Sequence, residues 1–243
     1  MNAAVLAFGR SGAAGRAAYG APHPRDAWAV APRRRVHCGE ILFLEGDRCR
    51  SLYRVRSGTF KTTVATPDAG EQVTGFQLAG DMLGLDGLAS DCHASTAVAL
   101  EDSEVVVFPH TDTELEGMTP LQASLPHLLA RELVRKQKLA VLLSCMNAEQ
   151  RVASFLLNLS HRLHARGYSA TEFHLRMTRR EIGSYLGVKI ETVSRTFTEM
   201  HRRGLLRVDG RSIVLLDRQA LLSLFDELPL RARVAATERV LHA

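Results

Sequence analysis

Between about residues 35 and 110, short apolar runs alternate with clusters of turn-forming residues. Ile41-Leu42-Phe43 gives way to Glu45-Gly46-Asp47, Leu52 to Val55 gives way to Ser57-Gly58, and Phe60 to Val64 gives way to Pro67-Asp68-Ala69-Gly70. Val73 to Leu78 ends at Ala79-Gly80-Asp81, and Val105 to Phe108 ends at Pro109. Strands at intervals of roughly 8–12 residues predict an antiparallel sandwich or barrel.

The period then changes. Pro120 suits the first turn of a helix and few breakers follow before Asn147, so one long helix is expected over 120–146, with Pro126 as an early kink. Two apolar stripes run along it. Leu129, Leu133, Lys136, Ala140 and Leu143 follow the 4-3-4-3 spacing of a coiled-coil seam, while Leu125, Leu128, Leu139, Leu142 and Met146 form a second stripe. One stripe is expected to pack on the strands and the other on a second copy of the helix, because a helix in a small domain rarely needs two apolar faces. The competing reading is one broad stripe buried within a single chain. Lys136 is the odd member, since two like charges across a two-fold axis oppose association and lysine commonly snorkels to solvent.

Asn147-Ala148-Glu149-Gln150 has the form of a capping box and restarts a helix after a bend. Val152, Phe155, Leu156, Leu159 and Leu163 follow at helical spacing, with Gly167 as the stop. Phe173, Leu175 and Met177 alternate as in a short strand. Thr178-Arg179-Arg180-Glu181 is a second capping box. It opens a short helix with Ile182 and Leu186 on its apolar side, which Gly187 breaks. Another helix is expected from about Ile190 to Arg203, with Val193, Phe197 and Met200 on one face and Gly204 ending it. Two short helices across a glycine turn make a helix-turn-helix. Leu206 to Val208 and Ser212 to Leu215, joined by Asp209-Gly210 as a two-residue turn, predict a hairpin wing.

In such a unit the N-terminal residues of the second helix face base edges. Here those are Ile190, Glu191, Ser194 and Arg195. Glu191 and Arg195 lie four apart and share a face. Arginine suits guanine O6 and N7, and glutamate accepts from cytosine N4, so the pair can read both bases of a G·C pair. Arg179, Arg180, Lys189, Arg202, Arg203, Arg207 and Arg211 are the expected phosphate contacts. The competing reading of Glu191 and Arg195 is an exposed intrahelical ion pair, worth only ~0.3–0.5 kcal/mol.

Composition narrows the class. The chain has 243 residues, 46% hydrophobic and 23% charged, which excludes a collagen, a disulfide miniprotein and a wholly disordered chain. No apolar run approaches the ~18 residues of a membrane span, so no membrane partner is expected. The net charge of +5 is segregated: +5 over residues 1–39, −9 over 40–120 and +9 over 121–243. The basic half is expected to face a polyanion. Residues 1–31, rich in alanine and glycine, are expected to form a disordered tail. Cys38, Cys49, Cys92 and Cys145 show no C-x-x-C spacing and no secreted framework, and no signal-peptide core is present, so a cytoplasmic location is expected. Cys38 beside His37 and Arg35, and Cys92 beside His93, are candidate redox thiols. No nucleophile elbow, P-loop, HExxH or paired-carboxylate motif occurs, and no enzyme is expected.

SLYRVRSG (51–58), EQVTGFQLAGD (71–81), NAEQRVASFLLNLS (147–160), MTRREIGSYLG (177–187) and ETVSR (191–195) resemble the Crp/Fnr family of bacterial transcription regulators, in its fumarate–nitrate reduction (Fnr) branch, over about residues 35–225. The resemblance implies an α+β fold: a cyclic-nucleotide-binding-type β-roll (32–118), a dimerisation helix (119–146) and a C-terminal winged helix-turn-helix (147–228), with a tail over 229–243. It implies a homodimer on double-stranded DNA, reading inverted repeats with TTGAT half-sites and regulating genes of anaerobic, redox or nitrogen-oxide metabolism. By the same analogy, RNA polymerase would be contacted by the loop Pro67–Glu71 and the surface near Gln77–Asp86.

The departures from the family pattern bear on the signal. Oxygen-sensing members hold an iron–sulfur cluster on an N-terminal cysteine group and one cysteine of the roll. Here residues 1–37 contain no cysteine and Val106 matches the roll position, so no cofactor and no metal ligand are expected; an unorthodox cluster on the four cysteines is the alternative. Cyclic-AMP-binding members use a Gly-Glu and an Arg-Ser pair. The matching positions here are Gly84-Leu85 and Ser95-Thr96, so no cyclic AMP is expected. The readings left for control are a monomer–dimer balance tuned at Lys136, a FixK-like regulator set by its own abundance, and thiol oxidation. His93, His110 and His127 are too scattered to assign a haem, and the effector is left open. A ligand-binding module without DNA readout is the rival function.

Overall fold

A computed structural model describes residues 31–68, 70–109 and 120–225. The tails expected over 1–31 and 229–243 lie outside the described residues, apart from Ala31, as does the expected end of the first domain at 118. The strands are β1 (Arg33–Val36), β2 (Ile41–Phe43), β3 (Ser51–Ser57), β4 (Thr59–Ala65), β5 (Glu71–Leu78), β6 (Met82–Leu83), β7 (Thr96–Ala99) and β8 (Ser103–Pro109), with a 3-10 turn at Leu85–Ala89. There follow α1 (Pro120–Cys145), α2 (Ala148–His164), β9 (Glu172–His174), α3 (Arg179–Leu186), α4 (Ile190–Arg202), β10 (Leu206–Asp209), β11 (Ser212–Leu215) and α5 (Arg218–Ser223).

The first eight strands form two antiparallel sheets, ordered β1-β8-β3-β6 and β2-β7-β4-β5. Alternation along the strands sends Val36, Val55, Leu83 and Val105 of one sheet and Leu42, Phe60, Ala97 and Ala99 of the other into a shared core. β5 departs from that rule. Val73, Phe76 and Leu78 leave the roll core and join a second core with Leu142 and Met146 of α1, the buried face of α2 and the helix-turn-helix. β5 is thus buried on both faces and mounts the C-terminal half on the roll.

Polar contacts fix that mounting. Asp81, in the turn after β5, accepts from the Leu78 N–H at 2.8 Å, from Arg135 of α1 at 3.2 Å, and from Arg162 and, at 3.1 Å, Arg166 of α2. Its side chain is only 4% exposed. Burial alone would raise its pKa, but Arg162, Arg135 and Arg166 hold it well below the usual carboxylate range. A bulge at Thr74 breaks the β4–β5 register between Thr62 and Thr63, and the Thr74 carbonyl accepts from Lys136 Nζ at 2.9 Å. Lys136 therefore reaches back to the roll, with Glu132 Oε1 3.8 Å away. This corrects its expected place in the seam: its stem lies on the helix face, but its charge is turned to the chain's own sheet.

The remaining stripe residues divide as their burial requires. Leu142 and Met146 are buried, whereas Leu129, Leu133 and Ala140 are exposed and Leu143 is partly buried against the second core. The surface suggested over Gln77–Asp86 is also corrected. Gln77, Leu78, Asp81, Leu83 and Gly84 are buried, because this stretch is the junction itself. Pro67, Asp68 and Glu71 of the other loop are exposed.

Asp81→Ala is expected to cost about 3–5 kcal/mol in urea unfolding, the usual loss when buried charges are left without their partner. Asp81→Asn tests the proton linkage. A depressed carboxylate pKa gives stability that is fully present above ~3.9 and is lost as pH falls towards the folded value. The stability gap between wild type and Asp81→Asn should therefore be constant near neutrality and shrink below about pH 4.

Candidate nucleic-acid interface

The helix-turn-helix is built by caps and one tight turn. Thr178 caps α3, its Oγ1 accepting from the Glu181 N–H at 3.2 Å, while Glu181 Oε2 accepts from the Thr178 N–H at 2.7 Å. Gly187 closes α3 at φ +62°, a conformation glycine adopts without strain. Within the helix, a Cβ on Gly183 would stand 2.7 Å from the Val188 carbonyl oxygen, so the two helices meet only because that position has no side chain. Val193, Phe197 and Met200 seat α4 in the core.

The opposite side of α4 faces out. Ile190, Glu191, Ser194 and Arg195 are all exposed, as expected for base-reading positions. Among the described residues neither Glu191 nor Arg195 makes an ion pair or side-chain hydrogen bond, so the structure does not support the intrahelical pair. Ser194 Oγ donates to the Ile190 carbonyl at 3.0 Å. Lys189 precedes the helix as an N-cap without a side-chain bond, leaving the first turn's N–H groups uncovered by a cap.

The expected phosphate contacts fall into two sets. Arg180 in the first turn of α3, Lys189 in the α3–α4 turn, and Arg207 and Arg211 of the wing are all exposed. Arg179 is corrected: its guanidinium stacks 3.6 Å over the Phe197 ring and Nη2 donates to the Gly210 carbonyl at 3.3 Å, tying α3 to α4 and the wing. Burial pushes its pKa down. Arg202 and Arg203 are corrected too. Arg202 pairs with Glu199 at 2.6 Å, and Arg203 pairs with Glu149 of α2, both at the end of α4 remote from its N-terminus. The wing turn is shifted by one residue. Asp209 pairs with Ser212, so the turn is Gly210-Arg211, with Gly210 at φ +56° and Arg211 at the tip.

Sequence reasoning missed the docking of α3 on the roll. Ser184 Oγ accepts from the Val73 N–H at 2.8 Å, and Lys61 Nζ lies 2.9 Å from Glu181 Oε1. Burial would raise the Glu181 pKa, but the Thr178 N–H and Lys61 bring it below the ordinary value. Arg151 was missed as well; it donates to Leu143 O at 2.7 Å, Met146 O at 2.8 Å and Leu186 O at 3.0 Å, closing the C-terminal ends of α1 and α3. Only the capping box hinted at Glu181, and nothing in the sequence marked the other three.

Two of the four thiols are neighbours: Cys49 and Cys92 lie on segments joined by the Cys49 N–H to Asp91 O bond at 2.7 Å. Cys38 lies at the β1–β2 turn, Cys145 ends α1, and Cys49 is buried while Cys92 is exposed on the segment bridged to Arg48. Among the described residues no three of His, Cys, Asp or Glu are placed to hold a metal ion. The two histidines expected beside the redox thiols have other partners. His37 faces Asp102 at 3.6 Å, and Asp102 also accepts from the Cys38 N–H. His93 is buried and stacked on Phe43, and burial pushes its pKa down despite Asp86, so it brings no positive charge to Cys92 at neutral pH.

Known proteins share this arrangement. Residues 33–114 match the cyclic nucleotide-binding domain family and residues 150–224 the Crp-like helix-turn-helix domain family. The transcriptional regulatory protein btr of Bordetella pertussis is 44% identical over 200 residues, 82% of this chain and 83% of that one. The fumarate and nitrate reduction regulatory protein of Escherichia coli is 42% identical over 194 residues, 79% of this chain and 78% of that one. The structure of FixK2 from Bradyrhizobium japonicum superposes with a TM-score of 0.72 at 32% identity, covering 80% of this chain and 97% of that one.

The division among the arginines is testable by salt dependence. Arg180→Ala should reduce the slope of log affinity for duplex DNA against log salt by about 1, as for one lost phosphate contact, and Arg203→Ala should leave the slope unchanged.

Proposed function

Because this chain belongs to the Crp/Fnr family of DNA-binding transcription regulators, we propose that it binds TTGAT-type inverted repeats as a homodimer and regulates redox or anaerobic genes without an iron–sulfur cluster. The observation that carries the DNA readout is the exposed face of α4, where Glu191 and Arg195 point outward with no partner in the chain among the described residues. Each half-site offers them one G·C pair. The similarity to a fumarate and nitrate reduction regulatory protein and to FixK2 supports the choice of half-site and of regulon.

The homodimer reading is supported by α1. Leu129 and Leu133, four apart on one face, are 42% and 60% exposed, an apolar strip that a second α1 would cover. A two-fold pair would set two recognition helices about 34–36 Å apart, one turn of DNA. RNA polymerase is the proposed partner of the loop Pro67–Glu71, whose Pro67, Asp68 and Glu71 are exposed. No helix among the described residues is long and apolar enough to cross a membrane, and a cytoplasmic location follows from the proposed work on promoters.

Two observations support a regulator that uses neither a cluster nor cyclic AMP. Among the described residues the four thiols form no group placed to hold a metal ion, and buried Val106 takes the roll position at which cluster-bearing members carry a cysteine. The cavity between the roll and α1, about 370 Å³, is lined by Asp86, Glu132 and Lys136 and by no arginine, and Asp86 is held by Ser95 Oγ at 2.6 Å. Two carboxylates against one lysine disfavour a cyclic phosphate. Control through abundance, as in a FixK-like regulator, is the reading this leaves first.

Binding to a TTGAT-N4-ATCAA duplex tests the proposal. Reduced protein purified in air should bind as tightly as an anaerobic preparation, and Arg195→Ala should lose roughly 1–3 kcal/mol of binding at each half-site. Binding confined to an anaerobic preparation with iron–sulfur absorbance would overturn the cluster-free reading. Leu133→Glu should give a monomer in sedimentation equilibrium and weaken binding to the full repeat far more than to a single half-site.

A further inference from the structure

α3 is held to the roll by contacts of its own. β5 is the last strand of its sheet, and α3 covers its outer edge in place of another strand. Ser184 Oγ accepts from the Val73 N–H at 2.8 Å, and the Ser184 carbonyl accepts from Gln72 Nε2. Three residues earlier, on the same face of α3, Glu181 Oε1 meets Lys61 Nζ of β4 at 2.9 Å. On the DNA-binding reading above, we propose that Lys61 of the roll is a positioning residue for the recognition helix: it acts through Glu181 and touches no DNA itself.

The side chains of Lys61 and Glu181 are only 18% and 16% exposed, so the pair escapes most of the solvent and salt that weaken a surface ion pair. Glu181 is committed on both oxygens. Oε2 accepts from the Thr178 N–H at 2.7 Å and from Thr178 Oγ1 at 2.9 Å, so one carboxylate joins the N-cap of α3 to the sheet. The other residues of that turn serve α4, the wing and the solvent. Arg179 lies over the Phe197 ring of α4 and donates to the Gly210 carbonyl of the wing at 3.3 Å, and Arg180 is exposed as an expected phosphate contact. A shift of this turn therefore moves the recognition helix, the wing and a phosphate contact together.

The Asp81 network does not perform this task, because its arginines come from α1 and α2. It sets where α2 lies on the roll; Lys61, with the Ser184 contacts, sets how α3 is turned. The docked orientation leaves Ile190, Glu191, Ser194 and Arg195 exposed, so the contact presents the DNA face and does not mask it. Lys61, in turn, has its charge spent on Glu181 beneath α3 and is not part of that face.

The test is duplex binding by the full chain at several salt concentrations, on TTGAT-N4-ATCAA and on a random-sequence duplex. Lys61→Gln removes one charge of the pair. Glu181→Gln removes the other, and glutamine keeps the capping box, so it serves if Lys61→Gln does not fold. With α3 left docked in about one molecule in ten, affinity falls about tenfold, since apparent affinity scales with the competent fraction. The slope of log affinity against log salt should stay as in wild type, because the docked form meets the same phosphates. Lys61→Gln/Glu181→Gln should lose no more than either single variant, and Lys61→Arg should bind like wild type. Thermal midpoints by circular dichroism fix a temperature at which each variant is folded. Unchanged or tighter binding by the single variants overturns the proposal, as do additive losses in the double variant. A slope reduced by about 1 in Lys61→Gln also overturns it, by making Lys61 a phosphate contact. Wild type binding both duplexes alike counts against the TTGAT half-site alone, and the comparison of variants is then read from either duplex.

Discussion

One buried carboxylate holds the two halves of this chain in register. Asp81 follows Gly80, whose φ of +91° turns the chain sharply after β5, and the turn is closed by Gly80 N–H to Val55 O at 2.7 Å. The turn aims the carboxylate away from the roll core, towards α1 and α2. Arg162 and Arg166 lie four apart on one face of α2, so both reach it, and Arg135 reaches it from α1. The apolar contacts of Phe76, Phe155 and Tyr185, with ring centroids 5.2–6.1 Å apart, supply burial beside this junction. Burial alone is non-directional, and the ion network is what selects one orientation. The orientation of the recognition helix is inherited from it.

The same economy runs through the DNA-binding domain. Glu181 closes the cap of α3 and docks it on Lys61; Ser184 bonds both β5 and the end of its own helix region; Arg151 ends two helices at once. Each group that fixes local geometry also fixes a neighbour. α4 is the exception. Its outward face makes no such commitment, and its cap residue bonds nothing through its side chain. The contrast separates the scaffold from the surface left for a partner.

Much of this was legible in the sequence because the signals were local. Turn clusters marked β2 to β5 and β8, both capping boxes form, and Gly187 and Gly204 stop their helices as read. β1, β6, β7 and α5 were missed. β1 is an edge strand with three exposed arginines and no alternation, and β7 is four residues, Thr96–Ala99, with little apolar bulk to betray it. The wing turn was misplaced by one residue because Asp-Gly is a favoured turn pair, whereas the ladder register puts glycine first and Arg211 second. For the site, the base-reading positions followed from helix periodicity, but the fate of the arginines did not. Whether Arg179 meets solvent or Phe197, and whether Arg203 meets a phosphate or Glu149, depends on contacts 18 and 54 residues apart along the chain.

That allocation changes what the basic half means. Residues 121–243 carry a net charge of +9, which as a bare number suggests a broad polyanion surface. The structure assigns much of it elsewhere. Arg135, Arg162, Arg166 and Arg176 are paired with Asp81 or Glu101 of the acidic roll, Arg151 with helix carbonyls, Arg179 with an aromatic ring, and Arg202 and Arg203 with glutamates. Charge segregation along the sequence therefore reports two things at once: an attraction between the domains of one chain, and a smaller reserve of Arg180, Lys189, Arg195, Arg207 and Arg211 facing outward. Neutralising each phosphate releases counterions and steepens the salt dependence by about 0.9. A count of all arginines would thus overstate the electrostatic part of DNA affinity severalfold. With that part limited, discrimination between sequences rests more heavily on Glu191 and Arg195.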